Sequence, residues 1–208
     1  MRASPKRPGP DFARERVLIA AGHRFVAGVD EVGRGALAGP LGVAAVILDP
    51  TRLPEGIDDS KALSAARREE MFEKILGAAL ACAIVFVSVD EIDRLNIRGA
   101  TLEGMRRALS GLAIRPEFAL IDGRDVPSKL PCPANAIIGG DAKSVTIGAA
   151  SILAKVMRDR LMKSLDAEAP AYGFARHVGY GVAAHRAAMA SHGRCIHHRR
   201  SFRVAGVD

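Results

Sequence analysis

The segment from Phe25 to Gly35 reads FVAGVDEVGRG. Its apolar run from Phe25 to Val29 leads directly into two acids, Asp30 and Glu31, and then into a pair of glycines. Short apolar runs that end in glycine are typical of buried strands. The segment therefore predicts a central strand that delivers two carboxylates to one edge of a sheet.

The rest of the chain alternates apolar runs with segments of helical spacing. Further strands are predicted at 41–48, 81–89, 118–122 and 134–138, and helices after Ser64 and at 98–112, 145–165 and 182–191. This order predicts one α/β domain with a mixed sheet. The first dozen residues contain three prolines and three basic side chains without an apolar period. We therefore assign residues 1–22 to a flexible basic N-terminal arm and residues 23–208 to the folded domain.

Two more acids follow strands. Asp122 ends the run FALID, and Asp141 ends AIIGGD. Residues at the carboxyl ends of strands in an open α/β sheet can converge across large separations in sequence. Clustered carboxylates repel one another unless a hard divalent cation neutralises them, so these acids together with Asp30 and Glu31 predict a metal site. The alternative, ordinary acids at turns, stays open for each of them taken alone.

Composition and charge restrict the class of protein. The 208 residues carry 30 basic and 23 acidic side chains, a formal net charge of +7. That excess lies at the ends, with +4 over residues 1–29 and +5 over 169–208, against −2 over 30–168. Such a balance favours an anionic partner such as nucleic acid. The longest apolar run, residues 78–89, is too short to cross a bilayer, so no membrane association is expected.

Cysteines and histidines indicate neither disulfides nor zinc. The three cysteines are too few and too scattered for a disulfide framework, and no signal peptide is apparent, so we expect a cytoplasmic protein. The C-terminal histidines and Cys195 match no standard zinc spacing. Their neighbours Arg199, Arg200 and Arg203 favour phosphate contact instead. Asp159, four residues from Lys155, is expected to form an ordinary helical ion pair.

The glycines that follow Glu31 do not form a dinucleotide fingerprint. They fall at positions 33, 35 and 39, a strand is predicted after them, and the preceding acids would repel a pyrophosphate. Gly33 and Gly35 would instead let the main chain approach a ligand closely, with Arg34 supplying a cation. A tight turn between strands is the alternative.

Several motifs, taken in order, resemble bacterial ribonuclease HII, a family of type 2 ribonucleases H. They are VDEVGRG at 29–35, AGP at 38–40, DSK at 59–61, IDG at 121–123, GD at 140–141, AASILAKV at 149–156 with RD at 158–159, and GY at 179–180. The resemblance covers residues 24–204. It implies a ribonuclease H-like fold, with a five-stranded mixed sheet flanked by helices and a C-terminal helical region.

The resemblance also implies roles for particular residues. Asp30, Glu31, Asp122 and Asp141 would be the catalytic carboxylates that bind Mg²⁺ or Mn²⁺. Gly33, Arg34 and Gly35 would contact the 2′-hydroxyl of a ribonucleotide, Tyr180 would pack on the adjacent deoxyribose, and Ser60 and Lys61 would hold backbone phosphate.

We therefore expect a monomeric, metal-dependent endoribonuclease. It would hydrolyse the RNA strand of RNA/DNA hybrids and cut duplex DNA on the 5′ side of embedded ribonucleotides, leaving 5′-phosphate and 3′-hydroxyl ends. Two alternatives remain at this point. One is a nucleic-acid binding module without catalysis, and the other is a different metal nuclease of the same fold class, such as a resolvase or an integrase-like enzyme.

Overall fold

One mixed sheet contains five strands: β1 (Val26–Val32), β2 (Leu41–Leu48), β3 (Ala79–Val87), β4 (Phe118–Asp122) and β5 (Ala134–Ile137). The order across the sheet is β3-β2-β1-β4-β5 in this computed structural model, which describes residues 9–58 and 63–205. Strand β1 runs antiparallel to β2 and parallel to β4, which is also parallel to β5. The predicted α/β class with a five-stranded mixed sheet is confirmed.

Six α-helices surround the sheet in the described part of the chain: α1 (Ala13–Ala20), α2 (Ala65–Ala78), α3 (Val89–Ser110), α4 (Val145–Glu168), α5 (Phe174–His177) and α6 (Ala183–His192). Short 3₁₀ turns at Gly140–Ala142 and Pro170–Tyr172 precede and follow α4. None of the described helices is both long and apolar enough to cross a membrane.

Strand β2 is buried along its whole length and separates two cores. Because side chains alternate along a strand, Val43 and Ala45 pack with α3 on one face, whereas Ala44 and Val46 pack with α2 and α4 on the other. This two-sided burial explains why β2 reads as an unbroken apolar run rather than an alternating one.

Helix α4 lies unusually close to β1. A Cβ atom added to Gly28 would lie 2.3 Å from the main-chain carbon of Thr146, a distance that no side chain tolerates. The glycine in the middle of β1 therefore lets the start of α4 rest directly on the strand. This contact sets the distance between α4 and the acids at the end of β1.

The predicted arm is wrong over residues 13–20, which form α1. Glu15 on this helix is fully buried. Its Oε1 accepts hydrogen bonds from the Ser144 hydroxyl, at 2.6 Å, and from the Thr146 amide, at 3.1 Å. A carboxylate at the N-terminus of α4 is favoured by the unpaired amides there and by the helix dipole. The partners lie 129 and 131 residues away in sequence, so local composition could not reveal them. Residues 1–8 of the arm lie outside the described residues.

Helix α3 begins earlier than the predicted residue 98. Ser88 and Glu91 form a capping box that starts the helix at Val89. Asn96 interrupts it with φ 57° and ψ 167°, and its side chain then accepts hydrogen bonds from the amides of Arg98 and Gly99. The second half of the helix thus has its own N-cap at Asn96, and this half corresponds to the helix that the sequence predicted from residue 98.

The C-terminal helices pack around Phe174, which is fully buried. Tyr172 stacks on Phe174, with ring centroids 5.5 Å apart, so both are packing residues. Beside them, Nε2 of His185 lies 3.1 Å from Nε2 of His198. The Cys195 amide donates to Nδ1 of His198, at 3.0 Å, so His198 must be neutral with its proton on Nε2.

Replacing Glu15 with alanine is expected to lower the free energy of unfolding by about 1–3 kcal/mol, because a buried hydroxyl and a buried amide lose their acceptor. Chemical denaturation measures the change. The Arg16→Ala variant, altered at an exposed position of the same helix, serves as control and should change stability by less than about 0.5 kcal/mol. Equal stabilities of wild type and Glu15→Ala would show that Glu15 does not anchor α1.

Acid should destabilise the protein through the paired histidines. Burial, together with the charge of His185, lowers the pKa of His198 to about 4 from an ordinary value of 6.5. Between these values the unfolded chain binds more protons than the folded one, so stability rises with pH from 4 to 6.5 and is lost in the reverse direction. Denaturation across this range should show a loss on the order of 2 kcal/mol that the His198→Gln variant lacks. The His23→Gln variant, altered far from this pair, should keep the wild-type slope, and a wild-type slope in His198→Gln would contradict the prediction.

Candidate active site

Three carboxylates meet where β1 and β4 end. The two strands are parallel with Val29 opposite Ile121, so the acids that follow these residues, Asp30 and Asp122, are neighbours. Carboxylate oxygens of Asp30, Glu31 and Asp122 all lie within 4.8 Å of one another. The structure therefore brings together three of the four acids that the sequence singled out.

The fourth acid lies in the same cavity but is not part of that close cluster. Asp141 sits in the 3₁₀ turn after β5 and is buried. The cavity has a volume of about 350 Å³, and its lining includes all four acids together with Ser151, Lys155 and Tyr180. Four acids from three strand ends thus face one space, open enough to admit a ligand.

Main-chain amides orient these carboxylates. The Gly140 amide donates to Oδ1 of Asp122 at 2.6 Å, which ties the turn that carries Asp141 to the end of β4. Asp30 accepts from the Glu31 amide at 2.7 Å, and Asp141 accepts from the Ala142 amide at 3.0 Å. Because backbone groups hold the acids, their positions follow from the fold rather than from flexible side chains.

The electrostatics of the cluster call for a cation. Burial raises the pKa of Asp30 well above its usual value, the charges of Glu31 and Asp122 raise it further, and a hydrogen bond from Ser151 opposes the shift. Burial also raises the pKa of Glu31, against the lowering effect of Arg34. In addition, Oε2 of Glu31 is buried and has no hydrogen-bond partner among the described residues. A hard divalent cation would relieve the repulsion and coordinate that oxygen, so the residues fit such an ion.

The glycine loop lies next to two residues that line this cavity, Glu31 and Tyr180. Arg34 lies 3.3 Å from Glu31, and its side chain is 51% exposed. Among the described residues, a Cβ atom on Gly35 would come within 4 Å of only the Tyr180 ring, at 3.9 Å, whereas a Cβ atom on Gly33 would lie 2.2 Å from Nε of Arg158. A small side chain at position 35 would thus fit in van der Waals contact with Tyr180, whereas the space beside Gly33 is filled by an arginine. Ser60 and Lys61 lie outside the described residues.

Sequence reasoning missed two cavity residues on α4. Ser151 bonds to Asp30, and Lys155 lies one helical turn further along the same face. Nζ of Lys155 contacts Asp159 at 2.8 Å, which confirms the predicted helical ion pair. The sequence signal for them was two polar residues at i, i+4 spacing in the apolar first half of the helix. The prediction that Arg199 contacts phosphate is wrong, because its side chain is fully buried and bonds to main-chain carbonyls.

The five-stranded sheet with acids at the ends of β1 and β4 defines a metal-dependent nuclease of the ribonuclease H-like class. Comparison with known proteins specifies the class further, since the family model for ribonuclease HII matches residues 27–205. Ribonuclease HII of Rhizobium johnstonii is 56% identical over 194 residues, which cover 93% of this chain and 84% of that protein. For ribonuclease HII of Xanthobacter autotrophicus the identity is 54%, and the coverage is 93% and 77%.

A solved structure supports the same assignment. The PCNA:RNase HII complex from Archaeoglobus fulgidus contains a chain that matches with a TM-score of 0.74 at 30% identity, covering 86% of this chain and 96% of that one. The chain belongs to the ribonuclease HII family. It is a divalent-metal-dependent endonuclease of the ribonuclease H type that acts on nucleic acid, and the alternative of a binding module without catalysis is wrong.

Removing one acid should weaken metal binding. We expect Asp30→Asn to lower the affinity for Mn²⁺ at least tenfold, because the ion loses a charged ligand next to Glu31 and Asp122. Isothermal titration calorimetry measures the affinity. Asp49→Asn is the matched control, since Asp49 follows β2 at the opposite edge of the sheet. An unchanged Mn²⁺ affinity in Asp30→Asn would remove Asp30 from the metal site.

Proposed function

We propose that this enzyme hydrolyses the RNA strand of RNA/DNA hybrids and cuts duplex DNA on the 5′ side of an embedded ribonucleotide. The products would carry 5′-phosphate and 3′-hydroxyl ends. One observation carries the proposal: the cluster of Asp30, Glu31 and Asp122 lies beside a glycine loop that faces Tyr180. A resolvase-like nuclease also needs a cluster of metal-binding acids, but it does not need a loop that recognises ribose.

The four acids Asp30, Glu31, Asp122 and Asp141 would hold Mg²⁺ or Mn²⁺. Carboxylate oxygens suit both ions, and the unpartnered Oε2 of Glu31 is a ready ligand atom. A divalent ion bound there supplies Lewis-acid stabilisation of the charge that develops on the phosphodiester. The chain's own contribution is to fix the acids through backbone amides and to keep Asp30 buried.

Selection for ribose would come from the loop at Gly33, Arg34 and Gly35. The 2′-hydroxyl is what distinguishes RNA from DNA, and main-chain groups at Gly35 can bond to it without contacting a base. A site built to bond a hydroxyl rejects the deoxy analogue, because its polar groups are then left unpaired. Tyr180, 36% exposed, offers a ring on which the neighbouring sugar would pack.

Arg34, Ser60 and Lys61 would contribute cations or donors for backbone phosphate. Arg34 keeps half of its side chain exposed, whereas the roles of Ser60 and Lys61 rest on the sequence motif. We also propose a monomeric cytoplasmic enzyme. One copy of the chain supplies all four acids, and the three cysteines are unpaired, as is usual in a reducing compartment.

A duplex with a single ribonucleotide tests the proposal. With Mg²⁺ or Mn²⁺ present, the wild-type enzyme should cut only the strand that carries the ribonucleotide, on its 5′ side, and chelation should stop the reaction. Asp122→Asn should lose at least about a thousandfold in kcat while its affinity for the duplex stays within about threefold, because phosphate contacts dominate that affinity. Gel analysis of end-labelled strands and fluorescence anisotropy measure the two quantities.

The same duplex with a deoxyribonucleotide at that position is the control substrate. Equal cutting of both duplexes would overturn the proposed selection for ribose. Wild-type turnover by Asp122→Asn would show that the carboxylate cluster is not the catalytic site.

A further inference from the structure

The glycine loop, residues 33–40, accepts hydrogen bonds from a buried side chain, Arg199, for which the sequence predicted contact with phosphate. The guanidinium of Arg199 is fully buried. Its Nη1 donates to the carbonyl of Arg34 at 2.9 Å, and its Nε and Nη2 donate to the carbonyl of Gly39 at 3.0 and 2.9 Å. The Arg199 amide also donates to the carbonyl of Leu37 at 2.9 Å. One residue therefore contacts both ends and the middle of the loop.

A second buried arginine strengthens this arrangement. Arg158 on α4 donates to the carbonyls of Pro40, at 2.9 Å, and Ala38, at 3.1 Å, and joins them to Val178, at 2.8 Å. Among the described residues, no carboxylate forms an ion pair with Arg158 or Arg199. The two cations are satisfied by the directed carbonyls of the loop, so the loop cannot shift without leaving buried charge unpaired.

The atoms nearest to the two glycines show which part of the loop lies against an arginine and which part lies near Tyr180. The nearest atom to a Cβ on Gly33 would be Nε of Arg158, at 2.2 Å, so Gly33 is small because an arginine lies against it. Gly35 is different, because within the described part of the chain only the Tyr180 ring would come within 4 Å of a Cβ atom there. An isolated β-bridge between Ala36 and Tyr180 fixes the distance between the glycine loop and Tyr180.

We propose that Arg199 is a positioning residue that sets the glycine loop opposite Tyr180. The preference of the enzyme for a ribonucleotide thus depends on a side chain that does not reach the substrate. The proposal deepens the proposed function and rests on it. Arg199 would therefore contribute to specificity by holding the loop in place, and not by contacting phosphate as expected from the sequence.

Lysine cannot perform this role. The planar guanidinium presents several donors in a fixed fork, which is why it reaches Arg34 and Gly39 together, whereas an ammonium group is a compact point charge on a flexible stem. Arg199→Lys therefore keeps the charge but releases one end of the loop. A role that depended only on charge would survive this substitution.

The test compares wild type, Arg199→Lys and Arg115→Lys on the duplex with one ribonucleotide. Arg115 is the matched control because its guanidinium also donates to a main-chain carbonyl, that of Pro131 at 3.1 Å, but on an exposed loop before β4. We expect Arg199→Lys to lose at least tenfold in kcat, with KM within threefold and Mn²⁺ affinity within twofold of wild type. Arg115→Lys should match wild type in all three quantities.

Each other outcome is decisive. A wild-type kcat in folded Arg199→Lys overturns the proposal, and so does a raised KM with unchanged kcat, which would indicate a phosphate contact. A parallel loss of Mn²⁺ affinity also overturns it, because the damage would then extend to the carboxylates. A wild-type enzyme that does not cut the duplex would instead refute the proposed function.

A second variant decides the question if Arg199→Lys does not fold. Asp93 on α3 accepts hydrogen bonds from the amides of Arg200 and Ser201, both at 2.9 Å, and so anchors the segment that carries Arg199. Asp93→Ala frees this segment and leaves Arg199 itself intact. We expect a threefold or larger loss in kcat with unchanged Mn²⁺ affinity. An unchanged kcat in Asp93→Ala would then overturn the proposal.

Discussion

Strands β1 and β4 run parallel with Val29 opposite Ile121, and this pairing puts Asp30 beside Asp122 although 92 positions separate them. Parallel neighbours end at the same edge of a sheet, so any acids that follow them are forced together. The rest of the site accommodates this repulsion. Backbone amides hold the carboxylates, Arg34 offsets part of the charge on Glu31, and an unpartnered oxygen is left for a cation. A sheet without this pairing would contain the same residues, but the acids would not form this cluster.

The loop and the C-terminal helices form a second layer with a different physical basis. Apolar contacts around Phe174 stabilise that layer, but directed hydrogen bonds from Arg158 and Arg199 fix its position over the sheet. Buried cations without carboxylate partners are expensive unless every donor finds an acceptor. This free-energy cost favours a single position of the loop, because a displaced loop would leave arginine donors unpaired. Rigidity at the loop is what discrimination by a single hydroxyl group requires.

Elements with local signals could be predicted from the sequence, and contacts between distant segments could not. The apolar run of β2 and the cap at Ser64 identified a strand and a helix directly. The four acids were found because each follows an apolar run of the sequence, but this pattern does not show that Asp141 lies outside the close cluster. Helix α1 was missed because Glu15 is polar and finds its partners only in the folded chain. The role of Arg199 was predicted wrongly for a related reason. In the sequence it stands next to other basic residues, as an exposed arginine would, and only the structure shows that it is buried.

Formal charge therefore overstates how much of the C-terminal region attracts nucleic acid. Arg199 is one of six basic side chains among residues 169–208, and it lies inside the molecule, where its guanidinium donates to main-chain carbonyls and lies over the Phe202 ring. Phosphate attraction must come from the exposed members of that set, including Arg200, and from Arg34 at the edge of the site. The acids of the central segment repel the same phosphates unless a cation is bound. A divalent cation held by these acids would therefore couple binding of metal to binding of substrate, because it would remove the repulsion between the acids and the phosphates.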